Sequence, residues 1–410
     1  MKVLGIIAEY NPFHNGHLYH VTESKKQAEA DVVVAVMSGH FTQRGEIAIL
    51  DKWERARLAV CCGVDLIFEL PFVYACNNAE YFAQGAVEIL NGLDCVDTIS
   101  FGSESGSIET LSEAARLIAY ETESFKACLR DELARGVSYP KARASAVRIV
   151  SENAYAEILS RPNNILAVEY IKQLMLTGSK IKPMTIKRMG ADDNATQLSG
   201  TFSSAASIRM AMAAEIEKSN IALALPEASC KTLFTINNDI NQIMNSYYLL
   251  LTSCIVTSLE EELESIFSAG EGLGSKMKKV IRSAQNVEDL ILAIKSKRYT
   301  RTRIQRLLAH SALHLTKADF EKIRKKNINY ARVLAFNETG AKLLRQIKKS
   351  KVSIPVITNI NKQRDEAGLA QELLRYDILA SDFYNLVSGK PLYENSDYIR
   401  MPYHEFHQNT

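Results

Sequence analysis

Two histidines three residues apart, with a glycine between them, are the first residues in this chain whose types and spacing point to chemistry. They belong to the stretch Ile7, Ala8, Glu9, Tyr10, Asn11, Pro12, Phe13, His14, Asn15, Gly16, His17, Leu18, Tyr19 and His20. The apolar run Val3 to Ala8 leads into it, Pro12 breaks the strand pattern, and a helical pattern starts at Leu18. A strand, a tight turn and a helix start make an anion site, because the first helical N–H groups have no partner and the dipole is positive there. Imidazoles at His14 and His17 add donors, so the expected ligand is a nucleoside triphosphate with both histidines facing its phosphates. His14, His17 and His20 are also a candidate metal trio. A zinc site wants a further Cys, His or carboxylate at known spacing, and none stands out, so no protein-held metal is expected. The third reading is a turn with core histidines.

Something must position these groups. The first 110 residues or so alternate short apolar strands with helical patterns: strands at Val3–Ala8, Val32–Met37, near Asp65–Leu70 and at Val96–Phe101, with helices near Leu18–Ala28, Arg55–Cys62 and Ala79–Leu90. That alternation predicts a Rossmann-like α/β domain with a parallel sheet, whose ligands sit at the carboxyl ends of the strands. Glu9–His17, Ser38–Arg44 and Gly102-Ser103-Glu104 all fall at those ends. From Ile108 to about Ala167 the pattern is helical, broken at Arg161-Pro162-Asn163-Asn164. Lys182–Arg188 reads as another strand, Gly190–Gly200 as a polar loop, and Phe202–Arg209 as a helix start with Ser203 or Ser204 as N-cap. Beyond Leu225-Pro226 most of Asn237–Gln346 reads as helices, followed by one short apolar strand, Val352–Ile357, and an irregular tail from Gly389. Two domains are therefore expected: 1–220, binding the nucleotide, and 221–410, mainly α-helical.

The chain has 410 residues and a net charge of only +2, so any contact with nucleic acid must come from a local cluster. Seven cysteines without a Cys-x-x-Cys pair predict reduced, buried thiols and a cytoplasmic protein. The chain opens on a strand pattern and holds no run of about 18 apolar residues, so neither a signal peptide nor a membrane span is expected.

Other pieces fit the same site. Gly102 follows the fourth strand and would let backbone approach a base or ribose; alone it is an ordinary turn glycine. Asn163 and Asn164 would usually cap a helix, and Arg188 can pair with phosphate, although a lone Arg is usually a surface charge. Ser203, Ser204 and Arg209 would form a second phosphate cradle, or a plain helix cap. Ser38–Glu46 reads as a substrate loop; Asp51, Lys52 and Arg55 after it fit a surface helix equally well. In the second half, Lys295 to Arg306 carries Lys297, Arg298, Arg301, Arg303 and Arg306 with no acid, and Tyr299 among them. Such a run is usually a solvated helix face. In a nearly neutral protein it favours RNA, with the cations on phosphates and the aromatic on an unpaired base.

His-x-Gly-His early and Ser-Ser-x-x-x-Ile-Arg late resemble the nucleotidyltransferase superfamily, which includes coenzyme adenylyltransferases and class I aminoacyl-tRNA synthetases. The combination is more specific. Ile7–His17, Met37–Glu46, Phe101-Gly102-Ser103-Glu104, Pro162–Leu166, Ile186-Lys187-Arg188, Ser203–Arg209 and Lys297–Arg303 resemble, in order, the bacterial tRNA(Met) cytidine acetate ligases. One departure is His40, where many relatives carry asparagine. The resemblance implies activation of acetate by ATP as acetyl-adenylate, then acetylation of N4 of the wobble cytidine of elongator tRNA(Met). It implies an ATP site on Ile7–His20, Gly102, Asn163 (rather than Asn164) and Arg188, with His14 and His17 catalytic and Mg²⁺ accompanying ATP. The partners it implies are tRNA(Met) and acetate, with no membrane and no obligatory protein partner. A coenzyme-type adenylyltransferase, or a non-catalytic RNA-binding protein on a vestigial nucleotide fold, would be the alternatives.

Overall fold

The computed structural model describes residues 1–405 except 156, 191–196, 237–238, 271, 351–353, 364–369 and 394–395. Most of the expected 190–200 loop and the start of the expected 352–357 strand lie outside the described residues. One mixed sheet organises the chain. Its strands are β1 (Val3–Ala8), β2 (Val32–Ser38), β3 (Leu66–Leu70), β4 (Thr98–Ser103), β5 (Lys182–Lys187), β6 (Ala331–Phe336), β7 (Val356–Ile357) and β8 (Tyr403–His404). The order is β5-β4-β1-β2-β3-β6-β7, with β8 also on β6. β1 to β5 are mutually parallel, and β6 runs antiparallel to β3.

Strand β2, Val-Val-Val-Ala-Val-Met-Ser, is buried throughout. Its β-branched side chains suit a pleated surface covered on both faces, and each buried valine contributes about 1.5–3 kcal/mol. The chain moves from β1 to β2 and β3 on one side, and to β4 and β5 on the other. The switch point, where α/β sheets bind ligands, is therefore the crevice between β1 and β4. Helix α1 (Asn15–Gln27) begins at that crevice and α2 (Lys52–Cys61) follows β2. Helices α3 (Ala79–Gly92) and α4 (Ile108–Ala119) both pack on α5 (Pro162–Leu176), which lies on β4, while α3 also meets β2 and β3 and α4 meets β5; α6 (Ala205–Ala213) and α7 (Glu227–Thr235) lie on the α2 side. Further on come α8 (Ile240–Thr257), α9 (Arg301–Ala312), α10 (Glu338–Lys349) and α11 (Ala370–Val387).

Three expectations change here. Ala331–Phe336, expected within a helical stretch, is strand β6 and pairs with β3. Its Ala, Arg and Leu are good helix formers, and burial on the sheet overrides that preference. The tail beyond Gly389 returns to the sheet as β8. The seven cysteines are all free, but only Cys62 and Cys76 are buried as expected; Cys95, Cys128, Cys230 and Cys254 are partly exposed and Cys61 is exposed. No described helix is long and apolar enough to cross a membrane.

Candidate nucleotide site

The loop after β1 is built before it is chemical. Tyr10 and Phe13 are 1% and 0% exposed and pack under the loop as core. Asn11 Oδ1 accepts the Ile49 N–H at 2.9 Å. Asn15 donates through its amide to the carbonyls of Thr201 and Leu223, and its N–H goes to Ala224. Of the stretch Ile7–His20, then, Tyr10, Phe13 and Asn11 are buried and shape the turn with their side chains.

His14 is the N-cap of α1. Its Nδ1 accepts the Gly16 N–H at 3.0 Å, while His17 Nδ1 accepts the His14 N–H at 3.3 Å. A backbone N–H can only donate, so each Nδ1 is unprotonated and each ring's proton resides on Nε2. The rings stack with centroids 3.8 Å apart. Gly16 is required sterically: a Cβ there would lie 2.8 Å from His14 Cε1. Burial, with His14, Arg188 and His20 nearby, holds His17 well below the usual imidazole range. His20 is lowered to about 4, by burial first and Arg188 second. With both Nδ1 atoms accepting backbone N–H groups, the pair presents Nε2–H donors at a helix N-terminus, an arrangement for anionic oxygen and not for a cation.

Across the crevice, Gly102 lies in β4 opposite Ile186 of β5, and the stem of Arg188 passes beside it. Arg188 Nη1 donates to Asn163 Oδ1 at 3.3 Å. Glu104 fastens the loop: its carboxylate accepts from Asn163 Nδ2 at 2.8 Å and from the Asn163 and Asn164 N–H groups. Asn164 Oδ1 in turn accepts from the N–H groups of Glu104 and Ser105. Asn164 is buried and spent on this bracket, whereas Asn163 is half-exposed and aligns the exposed Arg188.

Ser203, Ser204 and Arg209 occupy structural positions. Ser204 caps α6, accepting the Ser207 N–H, and Ser203 bonds Ser199 and Gly200. Arg209 donates to the Asn11 carbonyl at 2.8 Å and to Glu46 at 2.6 Å. The arginine expected in a second cradle therefore braces the β1 loop from behind.

The basic stretch opens α9, with Thr300 as N-cap. Lys297, Arg298 and Arg301 are exposed; Arg301 pairs with Glu288. Tyr299 is a correction. It is 8% exposed and part of the core, with Arg303 over its ring at 4.7 Å, so it offers no stacking platform. Arg306 turns inward and donates to the Gln43 carbonyl at 3.2 Å. Its pKa is lowered to about 10 by burial. Gln305 reaches Glu46, and Gly45 (φ +84°) touches the α9 backbone so closely that a Cβ would lie 2.5 Å from Arg306 N. Helix α9 thus docks on the Ser38–Glu46 loop, and that loop docks on the β1 loop through Gln43 N–H to Glu9 Oε1.

Asp51, Lys52 and Arg55 are buried, not on a surface helix. Arg55 donates to the carbonyls of Glu9, Ser38, Gly39 and Leu50, tying the ends of β1 and β2 together. Lys52 is 0% exposed and bonds Glu69 at 2.8 Å and Asp397 at 2.8 Å; Arg332 joins the same two carboxylates. Two cations face two anions, which is what allows any of them to be buried. The signal in the sequence was Glu69, a lone acid inside an apolar strand that demands a buried partner. His40 stacks on Tyr384 in this neighbourhood, buried and held well below the usual imidazole range by burial and by Lys52.

A parallel switch-point sheet, two neutral Nε2–H histidines at a helix start and an Arg–Asn pair across the crevice define a nucleotidyltransferase of the HIGH type. The HIGH Nucleotidyl Transferase family profile matches residues 1–397. Within that class the chain belongs to the tRNA(Met) cytidine acetate ligase family. It is 41% identical over 407 residues to the tRNA(Met) cytidine acetate ligase of Acetivibrio thermocellus, covering 97% of each chain. It is 42% identical over 390 residues to that of Caldanaerobacter subterraneus, covering 94% of this chain and 95% of the other. Crystal structures of Thermotoga maritima TmcAL superpose closely. The apo form gives a TM-score of 0.91 at 35% identity, covering 98% of this chain and 99% of the other. A form bound with alpha-thio ATP gives 0.89 at 34%, with the same coverage.

Proposed function

We propose that this protein activates acetate with ATP and transfers the acetyl group to N4 of the wobble cytidine of elongator tRNA(Met). The observation that carries the reading is one unbroken line of packed elements. Helix α9, with the basic cluster, rests on the Ser38–Glu46 loop, which rests on the His14–His17 loop. RNA held by Lys297, Arg298 and Arg301 would be held beside an adenylating centre. A coenzyme-type adenylyltransferase would leave that docking without purpose.

The site on this reading is Ile7–His20, Gly102, Asn163 and Arg188. The acetate oxygen attacks the α-phosphorus and pyrophosphate leaves. His14 and His17 donate to phosphate oxygens as negative charge builds, and Arg188, aligned by Asn163, adds a cation. Fixed donors around a small acid do most of the catalysis by position. Among the described residues no cluster of three or more His, Cys, Asp or Glu could cage a metal. The donor set suits phosphate, so Mg²⁺ enters the proposal only with substrate ATP, through its phosphate oxygens. Residues 1–220 would bind nucleotide and 221–410 would present the tRNA surface, in the compartment that holds tRNA.

The test is to incubate the protein with ATP, acetate and elongator tRNA(Met) and digest the tRNA to nucleosides. N4-acetylcytidine with AMP and pyrophosphate is expected. Folded protein and intact tRNA that yield none would overturn the proposal.

A further inference from the structure

We propose that Glu9 is the general base that takes the N4 proton of the acceptor cytidine; this rests on the acetyl-transfer reading above. Glu9 follows β1 directly, at the carboxyl edge of the sheet, and is half-buried there. It stands where the histidine loop meets the loop that carries α9. Its backbone carbonyl is held by Arg55, and its Oε1 accepts the Gln43 N–H. A carboxylate fixed by a main-chain donor keeps its orientation without losing its charge to an ion pair.

Among the described residues, the other carboxylates at this edge are committed. Glu46 is paired with Arg209, Glu69 with Lys52 and Arg332, and Asp51 with Lys390. Glu104 is bonded to the amides of Asn163 and Asn164. Glu9 forms no salt bridge among the described residues. The charged and titratable groups that bear on it are Arg44 and Glu46 from its facing loop, Arg209 from α6 and Arg55 from α2. Among the described residues, Tyr170 from α5 and Cys76 after β3 complete the set. Burial raises the Glu9 pKa above the usual carboxylate value, against the pull of the Gln43 N–H and of Arg44. A raised carboxylate is a better proton acceptor near neutrality.

The exocyclic amine of cytosine is a weak nucleophile because its lone pair is delocalised into the ring. In the proposed step that lone pair attacks the acetyl carbonyl carbon of acetyl-adenylate. The C–N bond forms while a proton passes from N4 to a Glu9 carboxylate oxygen. The intermediate collapses by breaking the bond between the carbonyl carbon and the AMP oxygen. AMP leaves with that electron pair, and Glu9 later returns the proton to solvent.

The test reads the transfer step alone. Acetyl-adenylate, prepared chemically, is bound to the wild type, Glu9→Gln and Glu9→Asp, and elongator tRNA(Met) is added. Single-turnover N4-acetylcytidine formation, normalised to bound adenylate, is followed against pH. Gln retains an acceptor for the Gln43 N–H, so the loop's anchor survives. The wild-type rate is expected to rise with pH as the carboxyl ionises. Glu9→Gln is expected to lose that rise and about 100-fold in rate, and Glu9→Asp to recover part of both. A Glu9→Gln rate equal to wild type, or a lowered rate with the same pH rise, overturns the role of Glu9. A wild type that makes no N4-acetylcytidine at any pH overturns the underlying function instead.

Discussion

At the scale of single residues, His14 is a helix cap and, in the proposed function, also a donor to phosphate. His14→Asn separates the two, because Asn is a good N-cap but lacks the imidazole Nε2–H. His14→Asn and His17→Ala are expected to keep the fold, checked by thermal melting, and to lower acetate-dependent ATP–pyrophosphate exchange by about 100-fold, the cost of one oxyanion-type donor. Full exchange in both variants would remove the histidines from catalysis. The His14–His17 pattern was legible because its geometry is local: cap, glycine and second imidazole lie within one turn. Lys52 was not, because Asp397, which allows its burial, lies 345 positions away in the chain. Tyr299 was misread for a similar reason, since a tyrosine among arginines looks solvated until the core beneath α9 is seen.

At the scale of elements, the packing of α9 on the Ser38–Glu46 loop joins the two halves of the proposed chemistry. Gly45→Ala would force a Cβ against the α9 backbone at a positive φ. It is expected to destabilise the protein by about 1–3 kcal/mol and to slow acetyl transfer more than adenylation. Denaturant unfolding and the ratio of the two rates check this; an equal fall in both rates would deny the loop its linking role. The exposed cations at the start of α9 belong to the same scale. Replacing Lys297, Arg298 and Arg301 by Ala is expected to weaken tRNA binding and flatten its salt dependence, by about one unit of log–log slope for each phosphate no longer neutralised. An unchanged slope would put the RNA elsewhere. The strands β1 to β4 and their helices were legible from β-branched runs alternating with amphipathic stretches. Strand β6 was not, because its composition favours helix and only its place beside β3 makes it a strand.

At the scale of the whole molecule, buried ionisable groups tie function to stability. His17 and His40 are held well below the ordinary value of 6.5, His20 is lowered to about 4 and His310 to about 3, each chiefly by burial. The unfolded chain takes up protons on these rings below pH 6.5, and the folded chain refuses them until far lower. Their contribution is therefore present above about 6.5 and lost as pH falls toward 4, at about 1.4 kcal/mol per ring and pH unit at most. The melting temperature is expected to fall steadily from pH 7 to pH 4; a flat profile would contradict the buried neutral imidazoles. The charge cluster adds a second handle. Lys52→Met leaves Glu69 and Asp397 facing Arg332 alone, and is expected to cost about 3–5 kcal/mol in denaturant unfolding. The parallel part of the sheet was readable in outline. The closing of that sheet by β6 and β8, far along the chain, depends on long-range packing that no local pattern encodes.

The central claim is that acetate is activated at the α-phosphate of ATP and then handed to cytidine. Acetate carrying heavy oxygen at both positions, supplied with ATP and elongator tRNA(Met), tests it most directly by mass analysis of the products. If acetyl-adenylate is the intermediate, AMP gains one heavy oxygen for each N4-acetylcytidine formed, and pyrophosphate gains none. Label in inorganic phosphate or pyrophosphate, or unlabelled AMP beside labelled N4-acetylcytidine, would contradict it.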